Sequence, residues 1–306
     1  MSEQQSSETF PIVDAHHHFW DPTTNYHPWL CDEPPIPFRY GDYRSLRVPY
    51  LPPAYFDDAG HHDIVKTVYI ETEWDPADPI GELRWVEQLH AACGHPGAVV
   101  AQAWLDREDV DEVLAAVAAS PLARSVRHKP RAAARAVDAR RGEPGSMDDP
   151  RWRAGFAKLA GLGLMFDLQT PWWHLEAALE LARDFPATTL VVNHAGLPSD
   201  RTRAGLDGWH QALAALADAP NVMIKISGIG VPGEAWTAAA NRWIVREIVA
   251  MFGPARCMFA SNFPVDGLCG TFVEIFDGFR SIVSDFEPAD QRALFHDNAM
   301  RVYRPV

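Results

Sequence analysis

Cysteine is scarce in this chain of 306 residues, and the four that occur (Cys31, Cys93, Cys257 and Cys269) never fall at CxxC spacing. That pattern excludes a disulfide framework and reads as free thiols in a reducing compartment. Long hydrophobic runs are missing too, and none approaches the ~20 residues that a membrane span requires. The first nine residues carry neither the basic nor the apolar stretch of a secretion signal, so a cytoplasmic location is expected. Basic side chains are outnumbered, 27 against 41 acidic ones, and the net charge is −14. Nucleic acid and anionic membrane are therefore poor partners. No Gly-rich phosphate loop follows an early apolar run, which argues against a nucleotide-binding fold. The partners left to expect are a small-molecule substrate and, as a homo-oligomer, further copies of the same chain.

What is present is an ordinary globular composition, 47% hydrophobic and 22% charged, enough to bury a sizeable core. Residues 1–9 are polar and acidic and are expected to be disordered, with residues 10–306 forming one domain. After a first apolar run, Phe10 to Val13, the segment 21–53 is rich in proline and holds Trp29, Phe38, Tyr40, Tyr43 and Tyr50. A long aromatic loop straight after a strand serves as a lid over a site or as a plug packed on the fold. Arg39 and Tyr40 are among its polar groups able to reach a ligand.

Beyond it β-rich runs alternate with stretches of helical spacing. Strands are expected at 64–70, 98–104, 122–127, 163–168, 189–194, 222–226 and 257–262, with a helical pattern between each pair. Eight strands with intervening helices match an α/β fold of the (β/α)8 TIM-barrel type, as a single domain, better than an open sheet.

In such a barrel the chemistry collects where the strands end. The strand ends here are heavily polar: His16 and His18, Glu71 and Glu73, Arg127 and His128, Asp167 and Gln169, Asn193 and His194, Lys225 and Ser227, Asn262 and Asp266. Alternation along a strand directs His16 and His18 to one side and His17 to the other. Two imidazoles held together can bind a divalent metal or polarise a carbonyl oxygen. Each of these residues alone also suits a cap or a salt bridge; it is their joint placement that points to an active site.

The Asp-x-His-x-His opening, Asn-His-Ala-Gly-Leu-Pro after the sixth strand, Phe-Ala-Ser-Asn-Phe-Pro-Val-Asp at the eighth and the closing Asn-Ala-Met-Arg-Val-Tyr-Arg together resemble the amidohydrolase superfamily. Within it they resemble the amidohydrolase-related (family 2) group of sugar-acid lactonases and pyrone-dicarboxylate lactonase, from about Ile12 to Arg304. The resemblance implies that His16, His18 and His194 are the site's histidines and that Arg127 contacts a substrate carboxylate or carbonyl. Gln169 stands where metal-dependent members often carry a second histidine. Asn262 stands where the family has the aspartate that deprotonates water. An amide cannot act as a general base and is a weak metal ligand. A two-metal site is therefore not expected. One divalent ion, Zn or Mn, on His16, His18 and His194 remains open, and so does a metal-independent site.

The expected activity is that of a hydrolase opening a lactone or related cyclic ester, probed by Arg127, Gln169, Glu73, Arg39 and Tyr40, with His16, His18, His194, Asn262 and Asp266 in catalytic roles. Asp266 or Glu73 would activate the water. The rivals are a decarboxylase or lactone isomerase on the same barrel, and a weakly catalytic binding protein that has lost its eighth-strand aspartate.

Overall fold

The apolar runs expected as strands pair in the order in which they occur along the chain. In the computed structural model, which describes residues 10–306, they are β1 (Ile12–His17), β2 (Ile64–Ile70), β3 (Ala98–Gln102), β4 (Ala123–Arg127), β5 (Met165–Leu168), β6 (Leu190–Val192), β7 (Val222–Ile226) and β8 (Cys257–Phe259). All are parallel, in the order β1 to β8, with helices between them. Backbone bonds from Asn262 to His16 (2.7 Å) and from His18 to Phe263 (2.8 Å) bring the ends of β8 and β1 together. This is the (β/α)8 barrel in one domain. Residues 1–9, expected to be disordered, lie outside the described residues. Among the described residues no helix is long and apolar enough to cross a membrane.

Five strands are shorter than their expected runs; β3 ends two residues early at Gln102 and β4 starts one residue late at Ala123. The sixth stops at Val192 because His194 and Ala195 turn left-handed (φ 54° and 57°), and β8 stops at Phe259 ahead of Asn262 (φ 54°). The fifth begins two residues later than expected, after the left-handed turn at Gly163 (φ 69°).

Inside the barrel, Val13, Ala15, Val68, Ile70, Ala98, Val100, Val191, Met223, Met258 and Ala260 form one apolar cluster, closed by Ala299, Val302 and Tyr303 of the helix Asn298–Tyr303. Asp167 and Lys225, read from the sequence as polar groups at the barrel mouth, belong instead to this interior. Their side chains are fully buried and ion-paired at 2.7 Å, and the Tyr303 hydroxyl donates to both Asp167 oxygens at 2.9 and 3.0 Å. The period of two explains the correction, since Lys225 follows the inward-facing Met223 by two residues and ends one layer below the rim. Burial lowers the Lys225 ammonium to about 8 despite the opposing pull of Asp167.

The first strand contains an irregularity that decides where its histidines point. Val13 and Ala15 both face the interior, yet the pairing with β2 slips between Asp14 and His17. A bulge of this kind reverses the parity of the residues after it. His16 and His18 thereby enter the barrel mouth. His17 packs outside, against Phe19 and Tyr55 with ring centroids at 4.5 and 4.8 Å. Asp14 pins the distortion to β8: its carboxylate accepts from the Ser261 amide (2.9 Å), the Ser261 hydroxyl (2.6 Å), the Tyr55 hydroxyl (2.7 Å) and the His16 amide (3.2 Å).

Residues 21–53 fold back so that Trp20 and Tyr50 exchange both backbone bonds, at 3.0 and 2.8 Å. Trp29 stacks on Phe38 at 5.7 Å, and Tyr43 packs against both rings at 5.4 and 4.9 Å. The inner edge of this aromatic layer, residues 36–39, forms part of the wall described next.

Candidate active site

A cavity of about 290 Å³ opens at the C-terminal ends of the strands, near the lower end of the small-molecule range. His18 and His194 line its floor, and His16 is buried against both. The His16 ring lies 5.0 Å from that of His18 and 4.5 Å from that of His194. His18 Nδ1 contacts the Ile70 carbonyl at 2.8 Å. A carbonyl only accepts, so Nδ1 carries the proton and Nε2 presents its lone pair. His194 Nδ1 is held by the Ser227 hydroxyl at 3.0 Å. Both nitrogens of His16 are buried without a hydrogen-bond partner. Burial pushes all three imidazoles well below their ordinary pKa. The charges of Lys225 and Arg127 add to this at His16, that of Arg127 at His18, and that of Arg39 at His194. The cluster is therefore neutral, as ligation or carbonyl polarisation requires.

Three basic side chains, each paired with a carboxylate, also line the cavity. Arg127 is ion-paired with Glu71 through Nε, donates to the Glu71 carbonyl at 2.5 Å and reaches Gln169 Oε1 at 3.1 Å. Lys129 is paired with Glu73. Arg39, from the aromatic segment, donates to the Gly228 carbonyl at 2.8 Å. All five of Arg39, Glu73, Arg127, Lys129 and Gln169 line the cavity together with His18, His194 and Asn262. Lys129 was not singled out from the sequence; its signal there is its place two residues beyond Arg127, just past the strand end. His128, between them, turns away and accepts from the Leu105 amide at 3.1 Å.

Asp266 and Tyr40 stand behind this lining. The Asp266 carboxylate accepts from Asn262 Nδ2 (2.7 Å), the Tyr40 hydroxyl (3.0 Å) and the Gly228 amide (2.9 Å), with Arg39 at 3.6 Å. Burial raises its pKa, and Arg39 and the three donors pull against that. Every neighbour is a donor, and the group does not face the cavity. The Arg39 guanidinium lies 4.3 Å over the Tyr40 ring.

Among the described residues six non-glycine residues have positive φ, and four of them, Glu73, His194, Leu197 and Asn262, line this one cavity. Left-handed backbone costs a β-carbon residue roughly 1–2 kcal/mol, so its concentration here marks the part of the molecule where conformation is held against local preference.

The amidohydrolase family model matches residues 13–304. The chain belongs to that family. This amidohydrolase is 39% identical over 293 residues to the protein y4mH of Sinorhizobium fredii, covering 96% of this chain and 98% of that one. It is 27% identical over 306 residues to an L-fucono-1,5-lactonase of Burkholderia ambifaria, covering 95% of each chain. Among solved structures, an amidohydrolase of Burkholderia multivorans with bound HEPES superposes with a TM-score of 0.78 at 23% identity, covering 97% of this chain and all of that one. A probable 2-pyrone-4,6-dicarboxylic acid hydrolase of Acinetobacter baumannii with bound citric acid does so with a TM-score of 0.67 at 15% identity, covering 96% and 99%.

By chemical type, the donors at the mouth of this amidohydrolase suit one divalent ion rather than two. Asn262 Nδ2 is committed to Asp266, so its Oδ1 faces the His18 Nε2 lone pair at 3.3 Å. Two acceptors facing at that separation repel each other, and about 3.3 Å is also the edge between two ligands of a tetrahedral metal. With the unpartnered His16 and with His194, this makes three imidazoles and one amide oxygen. A second ion would need strong ligands from β5 and β7. The fifth strand offers the Gln169 amide, and the seventh has Lys225 committed to Asp167.

Proposed function

We propose that this amidohydrolase opens a lactone or related cyclic ester of a small anionic or polyhydroxylated acid by attack of water. One observation carries the reading: two neutral imidazoles, His18 and His194, share a single small cavity with Arg39, Arg127 and Lys129. The imidazoles suit the ester carbonyl, and the guanidinium fork of Arg127 suits a carboxylate on the same molecule. The lactonase name of the Burkholderia ambifaria relative and the citric acid held by the Acinetobacter baumannii hydrolase support the same assignment.

Glu73 is the carboxylate that reaches the cavity, and it takes the role of general base; Asp266 keeps Asn262 and Arg39 in place. A divalent ion on His16, His18, His194 and Asn262 Oδ1 would supply carbonyl polarisation and a lowered pKa for bound water. The aromatic edge of residues 36–39 excludes bulk water and strengthens each of these charges.

The test is a pH-stat assay of the purified chain, with and without Zn²⁺ or Mn²⁺, on a panel of sugar-acid lactones, carboxylated lactones and pyrones. Ring opening of a carboxylated or polyhydroxylated member is expected, and a panel left intact under all conditions overturns the reading. Release of carbon dioxide would identify a decarboxylase, and a product with its ring intact an isomerase.

A further inference from the structure

At the other end of the barrel, the turn that leads into β2 meets the helix Phe272–Ile282. Gly60 makes the approach close: with φ at 60°, a β-carbon there would sit 2.9 Å from the Val273 side chain. The next two residues, His61 and His62, both aim Nε2 at one oxygen of Asp277 on that helix, at 3.4 and 3.7 Å. The His62 side chain is 2% exposed and its Nε2 has no hydrogen-bond partner. Its ring is fixed against Phe276 and Phe272, at 5.6 and 6.1 Å. Arg280, one turn further along, is occupied by the Phe10 carbonyl at 2.9 Å.

We propose that His61, His62 and Asp277 form a binding site for one divalent transition-metal ion, separate from the barrel mouth. All three ligand atoms lie within 4.8 Å of one another. Spacings of 3.4 and 3.7 Å are long for imidazole-to-carboxylate hydrogen bonds, which lie nearer 2.8 Å. They match the edges of a tetrahedral zinc site, about 3.3 Å for ligands at 2.0–2.1 Å. A buried imidazole nitrogen left without a partner, on a ring held to the Val273 backbone, is accounted for by the same ion. Two imidazoles and one carboxylate favour Zn²⁺, Ni²⁺ or Cu²⁺ over Mg²⁺ or Ca²⁺. The exposed sides of His61 and Asp277 leave the fourth position to water. The ion would clip the turn before β2 to the helix Phe272–Ile282, so its effect falls on stability rather than on turnover.

The experiment separates this site from the mouth by using the full chain carrying His16→Ala and His18→Ala. Equilibrium dialysis of that variant at micromolar concentration against Zn²⁺ and against Ni²⁺ is expected to give one bound ion per chain. Adding Asp277→Asn is expected to abolish the binding. In the otherwise unaltered chain Asp277→Asn should leave turnover unchanged, and in the mouth variant it should remove a metal-induced rise in Tm of about 4 °C, the shift expected at 100 times Kd. Crystals soaked in zinc should show an anomalous peak between the three side chains. Absence of binding by the mouth variant, or binding that survives Asp277→Asn, overturns the proposal. Should the mouth variant fail to fold, the anomalous map of the unaltered chain decides, and a peak confined to His16, His18 and His194 counts against it.

Discussion

The Asn262 amide bridges Asp266 and His18, giving its Nδ2 hydrogen to Asp266 Oδ1 at 2.7 Å and facing His18 Nε2 with its oxygen at 3.3 Å. The chain thus has an amide at the end of β8 and a buried carboxylate four residues on, coupled as donor and acceptor. Asn262→Asp would set two buried carboxylates against each other, and one of them would have to keep a proton. We expect the variant to lose about 1–3 kcal/mol, or about 2–5 °C in Tm, at pH 7.5, and to turn over at least tenfold more slowly. The exchange Asn262→Asp with Asp266→Asn restores the pair in reverse and should recover most of the stability. A single variant as stable as the parent at pH 7.5 would remove Asp266 from the role argued for it.

Acid should destabilise the fold before its carboxylates titrate in the ordinary range. Burial depresses His16, His18 and His194, and brings His17 to about 3 and His27 to about 4. A depressed imidazole stays neutral when folded while its unfolded counterpart takes a proton. The stability it contributes is present above pH ~6.5 and is lost as pH falls below that value. Burial raises Asp14 and Asp266, and Glu82 to about 7, so these three carboxyls bind protons in the fold first and act in the opposite direction. The lowered imidazoles, which also include His62, His95, His128 and His174, outnumber the raised carboxyls, so Tm is expected to fall between pH 6.5 and 5.5. Calorimetry across that window checks it; a flat or rising Tm would contradict the neutral imidazole cluster.

The pair Lys225–Asp167 is wholly buried and shares Tyr303. Removing one partner leaves an uncompensated charge in the barrel interior, whereas replacing both with apolar groups does not. Lys225→Met should therefore cost about 3–5 kcal/mol, roughly 5–8 °C in Tm. Lys225→Met with Asp167→Leu should recover more than half of it. Equal losses in the single and double variants would show that packing around Lys225, rather than its charge, is what matters.

The barrel was legible because strand and helix periods alternate eight times, a signal that local exceptions do not erase. The site was legible as a set of strand ends, and less so in detail. Alternation placed His16 and His18 on one side, but the route is a bulge between Asp14 and His17 that no residue type announces. Asp167 and Lys225 carry the same polar character as Arg127 and Gln169, and only their layer in the barrel separates them. Whether Asp266 faces the cavity depends on the backbone turn at Asn262, whose φ of 54° a sequence pattern does not reveal.

Charge selectivity should reside in Arg127 and Lys129. Arg127 is already fixed by Glu71 through Nε and its other arm, and the nitrogen nearest Gln169 faces the cavity side of that residue. A lysine at 127 has no fork with which to hold Glu71 and a substrate oxygen together. Arg127→Lys is expected to lower kcat/KM for an anionic lactone about 100-fold, a loss of about 2.7 kcal/mol. Lys129→Met keeps that fork and removes one charge at a partly exposed position, so its effect should be smaller, about tenfold and mainly in KM. A neutral lactone of similar size provides the control, because its KM should barely respond to the loss of Lys129. Steady-state kinetics of both variants on the matched pair decides the point: equal losses on the charged and neutral substrates would mean that these side chains shape the cavity and do not recognise charge.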